Sequence, residues 1–170
     1  MMFRLSYLLL LILAICGITN AAPPTQQNWS DVLNRYSGTF NIVKDSSDEP
    51  AGVFQFKWTE PRKVAHYSFR SFGDEPAARM TGFCFWNDKE NRAEFNEIEY
   101  GDEGRMAVNG YCVNSSENTM TWIVSFWTQD GMVRQIAMAD TFTKDGIDRS
   151  VTLLSGMPLA SRTVKWVRVK

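Results

Sequence analysis

The sequence predicts an all-β protein, an antiparallel up-and-down meander barrel of about eight to ten strands preceded by a short N-terminal helix. Three observations carry that expectation. Short runs rich in β-branched, aromatic and methionine residues recur along the chain at nearly even spacing. Clusters of turn-forming residues separate them. A near-repeat, Thr128-Gln129-Asp130-Gly131 and then Thr143-Lys144-Asp145-Gly146, brackets an apolar run of strand length.

The elements follow in chain order. Met1-Met2-Phe3-Arg4 supplies one positive charge, Leu5 to Ile18 is almost wholly apolar, and Thr19-Asn20-Ala21-Ala22 offers small residues for cleavage. Residues 1–21 therefore read as a signal peptide cut after Ala21, and the protein is expected to be exported to a periplasm or secreted. The apolar run of about fourteen residues is shorter than the roughly 20 that a spanning helix needs. Leu13-Ala14-Ile15-Cys16 resembles a bacterial lipobox, with Ile15 where a small residue is usual. Lipid attachment at Cys16 is the minority alternative, and the one route to a membrane that the sequence suggests.

Residues 22–28, opening with Ala22-Pro23-Pro24, read as a flexible tether, and residues 29–170 as a single barrel domain. Removing residues 1–21 from 170 leaves about 149, enough for one core. Losing Arg4 moves the formal charge from −1 to −2, so no basic field draws nucleic acid or anionic lipid. Asn28-Trp29-Ser30 and Asn114-Ser115-Ser116 match the glycosylation acceptor pattern, which matters only in a eukaryotic host. Nothing in the sequence sets the oligomeric state.

Trp29, Val32, Leu33 and Tyr36 share one helical face, so Trp29–Tyr36 is the helix, placed to plug or lid one end. Strands are expected near Tyr36–Val43, Ala51–Trp58, Val64–Ser71, Met80–Trp86 and Ala93–Tyr100. They continue near Arg105–Val113, Thr119–Trp127, Met132–Phe142, Ile147–Leu154 and Thr163–Val169. Asp-Gly tolerates positive φ at both central positions of a type I′ turn. Asp130-Gly131 and Asp145-Gly146 are thus read as hairpin turns joining three successive strands.

Alternation along the strands is imperfect. Met120, Trp122, Val124 and Phe126 share one face of their strand, while Ile123 and Trp127 sit on the other. Large apolar groups on both faces imply either a partly covered exterior or a lined interior cavity. In a meander Cys84 and Cys112 lie two strands apart, roughly 10 Å at the usual spacing. A disulfide needs Cα atoms within about 7 Å, so two buried free thiols and no disulfide are expected.

The segment Asn34-Arg35-Tyr36-Ser37-Gly38-Thr39-Phe40 is similar to the Gly-x-Trp opening strand of lipocalins, with Phe40 where Trp is usual. Phe56-Lys57-Trp58 and Trp86-Asn87-Asp88 fit the rhythm of bacterial calycin-like domains of unknown function. From about Trp29 to Lys170 the chain resembles the calycin-like β-barrels: lipocalins, fatty-acid-binding proteins and relatives. The resemblance implies a barrel that holds a small apolar ligand, and it transfers no catalytic residue.

His66 is the only histidine, which excludes any His-rich zinc site. A general base or an axial haem ligand is its functional reading, and a surface or hydrogen-bonded role the plainer one. Glu94, Glu97, Glu99, Asp102 and Glu103 read as a solvated strand and hairpin tip. No nucleophile elbow and no glycine-rich phosphate cradle is present. Most of the six tryptophans are assigned to core packing. The candidate ligand-binding residues are Trp122 together with His66, Arg70 and Arg134 where these face inward. No catalytic residue, metal or cofactor is assigned. The expected function is binding of a small apolar or amphipathic molecule inside an exported barrel. The alternatives are an isomerase or cyclase using His66 or a buried carboxylate, and an interaction module with a filled core; the balance is against an enzyme.

Overall fold

The computed structural model describes residues 25–44, 49–73, 78–101, 104–127, 131, 133–154 and 162–170. The signal peptide read in residues 1–21, including Cys16, and the start of the tether lie outside the described residues. Among the described residues the chain opens with the helix α1 (Gln26–Leu33), which runs into a 3-10 turn (Asn34–Tyr36). Five strands follow: β1 (Gly38–Lys44), β2 (Pro50–Glu60), β3 (Val64–Ser71), β4 (Arg79–Asn87) and β5 (Arg92–Gly101). The chain ends with β6 (Gly104–Ser115), β7 (Thr119–Trp127), β8 (Val133–Phe142), β9 (Gly146–Leu153) and β10 (Arg162–Arg168). Every strand pairs antiparallel with its neighbours in sequence, and β1 pairs with β10, closing the barrel.

The helix begins earlier than its apolar face indicates. Thr25 adopts an extended backbone and its hydroxyl accepts from the Asn28 amide at 3.3 Å, the ordinary device for starting a helix. Gln26 to Asn28, assigned above to the tether, are therefore its first turn. Tyr36 closes the 3-10 turn instead of opening a strand. The buried face comprises Trp29, Val32, Leu33 and Tyr36, and it covers one end of the barrel. Trp29 is wholly buried, stacked on Trp86 and edge-on to Trp58, each at 5.9 Å between ring centroids. Arg35 anchors the helix end by donating to the Glu117 carbonyl and to Asn118 Oδ1 between β6 and β7.

The two Asp-Gly pairs serve different ends. Gly131 has φ +76°, in the region that favours glycine, as a primed turn requires; its partner Asp130 lies outside the described residues. The second pair departs from the expectation. Phe142 pairs with Ile147, and the Thr143 amide donates to the Gly146 carbonyl, so Lys144 and Asp145 are the central turn residues. Gly146 has no positive φ; it is needed for a close approach. A Cβ added there would lie 1.7 Å from the Trp166 carbonyl oxygen on β10.

At the barrel seam one side chain adds to the β1–β10 ladder. Arg168 faces Phe40 across the β1–β10 ladder, and its guanidinium lies 4.5 Å from the Phe40 ring centroid. From there it donates to the carbonyls of Ser37 and Arg35, each at 2.6 Å. The last strand is thus tied both to the first and to the turn below the helix. Cys84 and Cys112 are buried and unbonded. Of the two glycosylation patterns, Asn28 is exposed on the helix, but Asn114 is buried in β6 and presents no acceptor on the folded surface.

Candidate ligand site in the barrel interior

Strict alternation along each strand sends one set of side chains into the barrel. Phe54 and Phe56 on β2, Tyr67 on β3, Phe95 on β5, Trp122 on β7 and Trp166 on β10 form an aromatic wall. They enclose a cavity of about 120 Å³, floored by Leu33 and Tyr36 from the helical segment. The helix covers the end near Trp58 and Trp86. At the other end Phe69, Met80, Met106 and Phe126 are partly buried, and Met80 lines the cavity.

Two polar constellations interrupt this apolar lining. In the first, Arg149 on β9 forks onto Asp140 on β8, Nε to Oδ1 at 2.7 Å and Nη2 to Oδ2 at 2.8 Å. The Tyr36 hydroxyl also donates to Asp140 Oδ2. Asp140 is fully buried, a position that a carboxylate occupies only when paired and hydrogen-bonded. Arg149 in turn lies 4.1 Å from the Trp166 ring centroid. Burial alone would lower the proton affinity of Arg149, but Asp140 outweighs it and the guanidinium is held charged. Burial, reinforced by Asp140, pushes the Tyr36 hydroxyl well up, so it stays neutral.

The second constellation lies along β5. Glu97 and Glu99 stand on the same face as Phe95 and Ala93 and point into the cavity. This overturns the reading of both as part of a solvated strand. Tyr67 pairs with Gly82, and Gly82 with Glu97, so the three form one row across β3, β4 and β5. A Cβ on Gly82 would sit 2.7 Å from Tyr67 Cζ. Its absence lets the ring lie across β4 and donate to Glu97 Oε2 at 2.8 Å. Burial is the main reason that Glu97 is pushed up to about 7, with the neighbouring Glu99 adding to it. Burial also raises Glu99, and it raises Tyr67, where the charge of Glu97 adds. The Cys84 thiol at the cavity wall is likewise pushed up by burial and is a poor nucleophile.

The candidate residues divide. Trp122 is buried in the cavity wall. Arg134 pairs with Phe126, which places it in the inward-facing series of β8 toward the end away from the helix, outside the cavity lining. His66 and Arg70 alternate with the buried Ala65 and Tyr67 and so face outward. His66 Nε2 lies 3.0 Å from Thr81 Oγ1, and the ring meets Phe83 edge-on. A histidine there cannot ligate a haem held inside the barrel. The residues missed are Tyr36, Tyr67, Glu97, Glu99, Asp140 and Arg149. The signal for the two glutamates was present: they share a strand face with Phe95. Among the described residues no cluster of three or more metal-ligating side chains occurs, and no helix is long and apolar enough to cross a membrane.

No protein-family model matches the chain, and no curated protein is significantly similar to it.

Proposed function

We propose that this protein is an exported carrier of calycin-like type that holds a small apolar or amphipathic molecule inside its barrel. The observation that carries the reading is the aromatic cavity with a few polar groups in its lining. Apolar walls with a few convergent polar groups are the usual composition of small-molecule sites. The closed ten-strand meander and the opening strand locked under Arg168 support the calycin-like assignment.

Size narrows the ligand. The cavity of about 120 Å³ is somewhat smaller than an engineered cavity of about 150 Å³ that takes benzene. A body of about one ring matches that space. A second reading is favoured by Glu97, whose proton affinity near neutrality suits a general base. In that reading the catalytic role sketched for His66 passes to Glu97, since His66 faces outward.

Native mass spectrometry of protein purified from its own host tests the carrier reading. A stoichiometric adduct of low mass is expected, and the emission of Trp122 and Trp166 should shift when toluene is added to stripped protein. A chain with no adduct and with emission unmoved by toluene would refute it.

A further inference from the structure

We propose that the cavity takes a small monocationic amine, its apolar body among Tyr67, Phe95, Trp122 and Trp166 and its ammonium held by the carboxylates of Glu97 and Glu99. This rests on the carrier reading and adds the charge of what is carried.

The charged groups that line the cavity leave an acidic excess. Three charged side chains line the cavity: Glu97, Glu99 and Arg149. Arg149 is engaged, with Nε and Nη2 donating to the two oxygens of Asp140 and its guanidinium 4.1 Å from the Trp166 ring centroid. That pair is close to neutral as a unit, although Arg149 still lowers the proton affinity of Glu97, and two carboxyl groups remain, two positions apart on one face of one strand and hydrogen-bonded to each other. Adjacent carboxylates in one part-buried site resist ionising together and share a proton unless a cation joins them. Among the residues lining the cavity no second cation is present. A ligand ammonium would supply the missing charge and three donors.

The walls agree with this. Aromatic faces attract a cation through their quadrupoles. An anionic amphiphile meets the opposite situation, because its head group would face Glu97 and Glu99 while the single guanidinium is already bound. Glu99 pairs with Met80 toward the end of the barrel away from the helix, so an ammonium held there leaves the apolar body among the rings.

Cation and proton then compete for one place. The titratable groups facing Glu97 are Tyr67 from β3, Cys84 from β4, Glu99 on its own strand, and Arg149 from β9 with Asp140 and Tyr36 behind it. Tyr67, Tyr36 and Cys84 stay neutral through burial, and Arg149 stays charged. The proton displaced by the amine therefore comes from the Glu97–Glu99 pair.

Calorimetry with tryptophan fluorescence on the purified protein tests this, using three probes that share one body: 2-phenylethylamine, 2-phenylethanol and 3-phenylpropionate. At pH 8 the amine should bind, the alcohol roughly tenfold more weakly, as loss of one charge-assisted hydrogen bond implies, and the acid least. Amine affinity should fall about tenfold from pH 8 to pH 6, with proton release seen as a dependence of the heat on the buffer. Glu99→Gln should weaken the preference for amine over alcohol, and the double variant Glu97→Gln/Glu99→Gln, close in shape at both positions, should abolish it. Equal binding of amine and alcohol, or stronger binding of the acid, would overturn the cationic assignment and leave the carrier reading standing. Entry of toluene without entry of the amine would do the same. If neither toluene nor any of the three probes enters, both fall.

Discussion

Tyr67 reaches over Gly82 to donate its hydroxyl to Glu97 Oε2 at 2.8 Å, joining β3 to β5 across a strand that carries no side chain at that position. The hydrogen bond favours the ionised carboxyl, yet burial beside Glu99 wins, and the group binds its proton near neutrality.

The sign of that shift makes stability fall with rising pH. Glu97 holds its proton more tightly when folded, about 7 against 4.5 in the exposed state. The resulting stabilisation is complete below pH 4.5 and is lost as pH rises through 7. Discounted for the part-open position, it amounts to about 2 kcal/mol. Glu97→Gln should be close to wild type in thermal unfolding at pH 4.5 and more stable at pH 8. Parallel unfolding curves at both pH values would contradict a buried Glu97.

The Asp140–Arg149 fork should behave as one unit. Removing either partner strands the other in the interior, at a cost of about 3–5 kcal/mol. Asp140→Ala and Arg149→Ala are each expected to lower the urea midpoint strongly. The double variant should cost much less than the sum of the two. Tyr36→Phe, which removes one donor to Asp140 and leaves the fork, should cost about 1 kcal/mol. Additive losses in the double-mutant cycle would show that the pair is not coupled.

The barrel was legible because its pattern is local. Thr119–Trp127 and Val64–Ser71 have the observed limits, since alternation and flanking turn residues are read within a few positions. What was not legible depends on partners distant in sequence. Glu97 and Glu99 look solvated beside Asp102 and Glu103, and only the closed sheet shows that their face is inward. Asp140 and Arg149 carry no motif, because a buried ion pair is defined by a register between two strands. His66 stands out as a rare residue type, but its face is decided by Ala65 and Tyr67. Trp122 was legible as an interior group because it sits in an apolar series.

The Asp-Gly repeat shows the same limit and yields its own prediction. Identical dipeptides serve a left-handed backbone at Gly131 and a close contact at Gly146. Gly131→Ala has open space around it and should cost about 1–2 kcal/mol, the strain of the backbone alone. Gly146→Ala must push a Cβ against the Trp166 carbonyl, backbone that cannot move without shifting β10. A loss of about 3 kcal/mol is expected, with altered Trp166 emission. Equal effects from the two substitutions would mean that the β9–β10 approach is not as close as described.

Arg168 provides the last prediction, because its contacts join three parts of the chain at the seam. The guanidinium uses its flat face against Phe40 and its edge on the carbonyls of Ser37 and Arg35. Lysine carries the same charge but has neither the plane nor the fork. Arg168→Lys should therefore lose about 1–2 kcal/mol, within the range of a partly exposed stack and hydrogen bonds. The loss should be local in origin. Amide exchange is expected to accelerate first in the β1–β10 pairs from Phe40 to Lys44 and at Ser37, with the β6–β7 pairs protected until global unfolding. Uniform acceleration across all ten strands would place the weak point elsewhere than at the seam.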